Sequence, residues 1–326
     1  MKLLKIITLL IIILVASCNS PKKEPTNQIK DELALLDTKI RQEPNNADLY
    51  YARSKVFLDN GNMKESLMDI QTAINLNKKE VRYYIRKADI LFATGETTQS
   101  FAVLQEALSI DKKSTEAYLK TAEIALLLKD YDKTMFNINE ALKIDKLNPN
   151  AYYLRGWALK EKGDTVHAVQ SYKKAIELNP NYEQPFEELG LLYALKNDAL
   201  AIDYLNSTIN INPNNLNAMY ALALFYQENK ITQKALDLYQ RMLQIDPTHA
   251  DALHNVGYIN LIEKKSYQDA LDLFNKAIEN DTMFFQAYYN RGVTYELMGN
   301  REKAIKDFQK VLELQPNHRL AKEKIK

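Results

Sequence analysis

YYLRGWALKEKGDTVHAVQSYKKAIELNPN (residues 152–181) and YYNRGVTYELMGNREKAIKDFQKVLELQPN (residues 288–317) decide the fold when laid side by side. An aromatic pair, two glycines, an alanine, a further aromatic, an apolar residue and a proline recur at the same offsets. Self-similarity of this kind at a fixed period marks a stacked array of small structural units.

Carried outward, the comparison gives eight units of about 34 residues, starting at 47, 81, 115, 149, 183, 216, 250 and 285 and covering 47–318. Position 4 of each unit is Tyr50, Tyr84, Tyr118, Tyr152, Phe186, Met219, Leu253 and Tyr288. Position 8 is small throughout: Ser54, Ala88, Ala122, Gly156, Gly190, Ala223, Gly257 and Gly292. Position 20 is Ser66, Ser100, Thr134, Ala168, Ala201, Ala235, Ala270 and Ala304. Positions 4, 8 and 11 make one stripe of a first helix, and 20, 24 and 27 one stripe of a second. Neither helix buries its stripe alone, so each requires its partner and the neighbouring unit.

This spacing resembles the tetratricopeptide repeat, with an aromatic at 4, a small residue at 8, an aromatic at 11, small residues at 20 and 27, and proline at 32. The resemblance implies an all-α fold, a right-handed α-solenoid of tandem helix–turn–helix repeats. The glycines and prolines agree with it. All eight glycines fall at position 8 or at position 15, the turn between helices, where positive φ is accommodated. Pro44, Pro180, Pro213, Pro247 and Pro316 end second helices, while Pro149 and Pro185 sit in the first turn of a helix. The fifth unit is one residue short near 197–199 and the seventh one residue long near 264–266, changes expected to be absorbed by inter-helix loops. Residues 28–46 read as a leading helix covering the first repeat, and 319–326 as a polar tail too short for a full capping helix.

The N-terminus reads as an address. Lys2 and Lys5 precede an uncharged apolar run from Ile6 to Ser17, shorter than the ~20 residues that span a bilayer. Leu14-Val15-Ala16-Ser17-Cys18 resembles the lipobox of bacterial lipoproteins, and contains the chain's only cysteine. The resemblance implies a signal peptide over 1–17, acylation of Cys18, and a body tethered to a membrane outside the cytoplasm. Residues 18–27 follow as a flexible spacer. Asn19 and the following Lys-Lys-Glu match neither an inner-membrane retention signal nor an acidic surface-export signal, which leaves the periplasmic face of an outer membrane as the expected location.

Composition excludes several classes. The chain carries 43 basic and 42 acidic residues, and residues 1–17 hold two of the basic ones and no acid, so the remainder is nearly neutral. That balance argues against a nucleic-acid partner. His167, His249, His254 and His318 lack metal-binding spacing, and no phosphate loop or nucleophile elbow is present. No enzyme activity, small-molecule substrate, metal or cofactor is therefore expected.

In the repeat family, positions 2, 5, 6, 9, 12 and 13 of the first helix line a concave groove. The second tyrosine of each doublet lies about 100° round the helix from the core residue before it. The resemblance thereby assigns Tyr51, Tyr153, Trp157, Tyr220, Tyr258 and Tyr289 to a partner-binding groove for a protein or peptide, using side chains favoured at binding hot spots. The alternative is that the position 5 and 9 rings fill gaps between successive helices. The expected function is a membrane-anchored scaffold in the cell envelope; the alternative is a structural spacer that associates through its convex face or ends. Repeat lipoproteins serve as adaptors for cell-wall hydrolases, as pilotins and in outer-membrane assembly, and fold alone does not choose among these.

Overall fold

The computed structural model describes residues 27–326; the signal segment, Cys18 and nearly all of the spacer lie outside the described residues. Among the described residues there are eighteen α-helices and no strand. The described residues form two compact units, 27–180 and 181–326. The first unit holds α1 (Asn27–Gln42) and four helix pairs: α2 (Ala47–Asp59) with α3 (Met63–Leu76), α4 (Val81–Ala93) with α5 (Thr97–Ile110), α6 (Thr115–Leu127) with α7 (Tyr131–Ile144), and α8 (Pro149–Glu161) with α9 (Thr165–Leu178). The second holds α10 (Glu183–Leu195) with α11 (Leu200–Ile211), α12 (Leu216–Glu228) with α13 (Thr232–Ile245), α14 (Ala250–Ile259) with α15 (Tyr267–Asn280), α16 (Phe285–Leu297) with α17 (Arg301–Leu314), and α18 (Arg319–Ile325).

Within each pair the small residue at position 8 lets the second helix come close. A Cβ placed on Gly156 would stand 2.6 Å from the Tyr172 ring, and one on Gly257 or Gly292 would meet Phe274 at 2.8 Å or Phe308 at 2.9 Å. All three rings are fully buried. Where position 8 is Ser54, Ala88 or Ala122, the opposing residue is the aliphatic Ile70, Leu104 or Ile138. The pair is thus matched by size in these repeats, as close packing requires. The sixth pairs Ala223 with Tyr239, and the fifth pairs Gly190 with Leu205.

Position 20 also carries chemistry in the first three repeats. Ser66 donates to the Ser54 carbonyl at 2.7 Å and Ser100 to the Ala88 carbonyl at 2.8 Å, so their buried hydroxyls are satisfied across the hairpin. Position 4 tyrosines reach back to the preceding turn: Tyr50, Tyr84 and Tyr152 donate to the carbonyls of Pro44, Lys78 and Lys146. Between repeats, the carboxamide or carboxylate of Asn77, Asp111, Asp145, Asn212, Asp246 and Asp281 accepts from the backbone N–H two residues on, closing an Asx turn.

The turn between helices is left-handed in every repeat, at position 15 in all but the seventh, where the extra residue moves it to position 16. Gly61, Gly95, Gly163 and Gly299 have φ of 74–83°, and Lys129, Asn197, Lys230 and Lys265 take positive φ without being glycine. The extra residue of the seventh repeat is not held in the loop as its position in the sequence suggested. It is taken up by a π-helical turn, Asn260–Lys264, that widens the end of α14 before the left-handed Lys265. In the short fifth repeat α11 is two residues shorter than the other second helices, 12 against 14, and the connection before it, 196–199, is one residue longer than the three of most hairpins.

Both ends are covered. Leu36 and Ile40 of α1 are buried, and Arg53 of α2 bonds at once to Asp37 of α1 and Asp69 of α3. Residues 319–325, in the segment read from sequence as a polar tail, form a short helix. His318 accepts the Ala321 N–H at its start, Ala321 is buried, Ile325 packs against the Phe308 cluster, and Lys324 bonds to Glu296. Those contacts outweigh the polarity of the segment.

Candidate functional site

The first helices α2, α4, α6 and α8 carry the candidate residues of the first unit. Tyr51 is half-buried, its ring 5.4 Å from that of Tyr83, with the guanidinium groups of Arg82 and Arg86 at 5.2 and 5.8 Å. Asp48 binds this cluster together, accepting from both Tyr83 and Arg82. The Tyr83 hydroxyl bond and the Arg82 charge hold the Asp48 carboxyl below its usual range, and burial beside that carboxylate pushes the Tyr83 hydroxyl up to about 12. Lys120 of α6 bridges Asp89 of α4 at 3.0 Å and Glu123 at 2.7 Å. Tyr153 and Trp157 lie one turn apart on α8, half-buried, with ring centroids 6.3 Å apart; Tyr153 also rests 6.0 Å from Tyr172.

In the second unit the corresponding side chains make a largely uncharged ladder. Tyr220 of α12 accepts from Asn255 of α14 at 3.3 Å, and His254 of α14 bonds to Asn290 of α16 at 2.9 Å. In these two repeats the position 5 side chain therefore bonds to position 6 of the next repeat. Tyr220 also sits 6.2 Å from Tyr239 and 6.0 Å from His249, and Tyr289 sits 5.6 Å from Phe308 and 5.1 Å from His318. Burial, with the nearby Asp251 carboxylate, raises the Tyr220 hydroxyl above its usual range. Burial among the Phe274 and Phe284 rings lowers His254 to about 4, so it is neutral at physiological pH. Tyr258, at position 9, is 37% exposed.

The six candidates therefore divide. Tyr51, Tyr153, Trp157, Tyr220 and Tyr289 are half-buried, with ring partners inside the array, while Tyr258 stands most open. The two units bring together Tyr153 with Trp157, and Tyr220 with His249 and Asn255. Sequence reasoning passed over Asn255 and Asn290, whose recurrence at position 6 was the available signal. His249 and His318 cap helices, accepting from Ala252 and Ala321, but His254 is packed inside. Among the described residues no three His, Cys, Asp or Glu side chains are grouped to hold a metal ion.

Helical hairpins repeated in 34-residue steps, packed through a small residue at position 8, define an α-helical repeat protein. Tetratricopeptide repeat models match residues 81–114, 149–182, 217–249 and 285–318, and the fold is the all-α tetratricopeptide repeat fold. The chain is similar to the C-terminal part of a TPR repeat-containing protein from Cytophaga hutchinsonii, with a TM-score of 0.60 and 21% identity over 76% of this chain and 100% of that one. It is also similar to PilF of Pseudomonas aeruginosa (TM-score 0.56, 15% identity, 65% of this chain and 96% of that one). A third likeness is to the APC/C hetero-tetramer Cut9–Hcn1 (TM-score 0.55, 16% identity, 94% of this chain), of whose matched chain this one spans 60%. At these identities the likeness is one of fold.

Proposed function

We propose that the chain is a membrane-anchored scaffold that holds a protein or peptide partner against the first-helix faces of its repeats. The carrying observation is the row at position 9 of the second unit, Leu191, Leu224, Tyr258 and Val293, which stays partly exposed beside a hydrogen-bonded ladder. Apolar anchors next to polar groups suit an extended or helical peptide. The half-exposed Tyr153 and Trp157 offer a similar surface in the first unit. The anchor is the lipid expected on Cys18, which sets the scaffold in the cell envelope at the periplasmic face of the outer membrane. No helix among the described residues is long and apolar enough to cross a membrane.

The test is partner recovery from native membranes with Tyr153, Trp157 and Tyr258 changed to alanine. A folded variant that recovers its partners unchanged rejects the first-helix face. Equal incorporation of labelled palmitate by wild type and Cys18→Ser rejects the anchor. A second reading, a structural spacer associating through its second helices, is favoured by exposed Met68, Phe136 and Val166 on α3, α7 and α9. Loss of partners in Phe136→Ser, with the tyrosine variants unaffected, would favour it.

A further inference from the structure

In each unit the connections from a second helix to the next first helix fall at one end of the stacked hairpins, and the hairpin turns fall at the other. At the connecting end the two units differ in charge. In the first unit these connections, with one helix turn on either side, are residues 39–50, 73–84, 107–118 and 141–152. They carry nine basic and six acidic side chains, a surplus of three positive charges. The corresponding residues of the second unit, 208–219, 242–253, 277–288 and 311–322, carry two basic and five acidic ones, a surplus of three negative charges.

The positive surplus stands at the tips of three successive turns. Lys78, Lys79, Lys112, Lys113 and Lys146 are all exposed, and none has an ion-pair partner among the described residues. The backbone beneath them is tied down. Tyr84 and Tyr152 donate to the carbonyls of Lys78 and Lys146, while Asn77, Asp111 and Asp145 accept from the N–H groups of Lys79, Lys113 and Leu147. The Asp111 and Asp145 carboxylates are thus turned back onto the chain, and the lysine stems extend away from it. Exposed apolar side chains stand among the lysines: Leu76, Ile110 and Ile144 close the second helices, and Leu147 in the third turn is 65% exposed. A row of tips that alternates ammonium and apolar groups suits a lipid–water interface. There the apolar side chains enter the acyl boundary and the lysines snorkel to phosphate groups. A wholly polar polyanion would leave the apolar side chains in water.

We propose that this edge of residues 27–180 lies on a bilayer containing anionic phospholipid, with the five lysines on its phosphate groups. Nine peptide steps from Cys18 to Asn27 reach at most ~30 Å, more than the ~24 Å length of α1, so a lipid on Cys18 shares one bilayer with these turns without strain. The proposal rests on the membrane-anchored reading and adds which edge of the scaffold meets the membrane. The first-helix face runs between the two edges and stays open to its partner.

The test incorporates the full chain, purified from membranes, into vesicles of phosphatidylcholine alone or mixed with phosphatidylglycerol. Lysine accessibility is read by acetylation and mass spectrometry. The five lysines are expected to label roughly fivefold more slowly on the mixed vesicles than on phosphatidylcholine, a difference that shrinks as salt is raised. Lys129 and Lys162, exposed in the hairpin turns at the other end, are expected to label equally on both. In Lys112→Gln/Lys113→Gln the protection of Lys78, Lys79 and Lys146 should largely disappear, with an unchanged melting curve. Equal labelling of the five lysines on the two kinds of vesicle overturns the proposal; protection by added polyglutamate would then assign the edge to an acidic protein. Recovery on phosphatidylcholine reports the lipid anchor alone. A chain recovered only on the mixed vesicles, and protected there, rejects the anchor and upholds the edge, and a chain recovered on neither rejects both.

Discussion

Among single residues, the left-handed one between helices separates what a sequence pattern makes visible from what it hides. Four glycines there announce a left-handed turn, because only glycine takes positive φ without strain. The same conformation falls on Lys129, Lys230 and Lys265, whose residue type gives no sign of it; only their phase in the repeat does. The left-handed region costs a non-glycine residue about 1–2 kcal/mol. Lys265→Gly is therefore expected to stabilise the chain by about 1 kcal/mol, seen as a higher denaturation midpoint, because Lys265 is exposed and its side chain makes no bond that the change would sacrifice. An unchanged or lowered midpoint would show that the turn stores no strain. The site was legible in a similar, partial way. Position 5 and 9 residues could be placed on the first helices, but whether a ring lies open or against a neighbour depends on partners 19–35 residues away, as with Tyr153 on Tyr172 and Tyr220 on Asn255.

At the level of helices, α1 is held by a charge clamp as much as by its apolar face. Arg53 is held charged by Asp69 and Asp37, and the Asp69 side chain is only 8% exposed. Arg53→Ala strands that carboxylate, with an expected cost of about 3 kcal/mol. Faster hydrogen exchange over residues 27–42 would report the release of α1, and unaltered exchange there would show that Leu36 and Ile40 suffice. His254 makes the second unit sensitive to acid. Its folded pKa of about 4 lies below the ordinary 6.5, so its contribution is complete above 6.5 and is lost as pH falls towards 4. Melting at pH 7.5 and 4.5 should show a smaller acid loss for His254→Gln, which keeps a partner for Asn290 and cannot charge. An equal loss in both would place the sensitivity elsewhere. The helices themselves were legible from periodicity and from glycine and proline. The π-helical turn at 260–264 was not, because a one-residue surplus does not say whether loop or helix absorbs it. The helix at 319–325 was hidden because its support comes from Tyr289, Glu296 and Phe308 rather than from its own composition.

For the molecule as a whole, where the array can be cut and rejoined depends on repeats such as the fourth, which sets a glycine at position 8 against a ring at position 24, unlike the sixth with its Ala223 and Tyr239. Gly156 and Tyr172 belong to one repeat, so the matched pair travels together when whole repeats are removed or duplicated. Two deletions of the same length, 115–148 and 129–162, leave the same number of residues and the same period. The first joins complete repeats and keeps Gly156 against Tyr172. The second splices the first helix of one repeat to the second helix of the next, setting Ala122 against Tyr172, where a Cβ at the glycine position would lie 2.6 Å from the ring. The second protein is expected to be the less stable by about 1–3 kcal/mol, and Ala122→Gly within it to recover much of the difference. Equal melting of the two would mean that the helices slide apart freely. The unit of inheritance in this chain is thus the whole hairpin, and the seams along which such a gene can lengthen or shorten lie at the Asx turns between repeats rather than at the left-handed turns inside them.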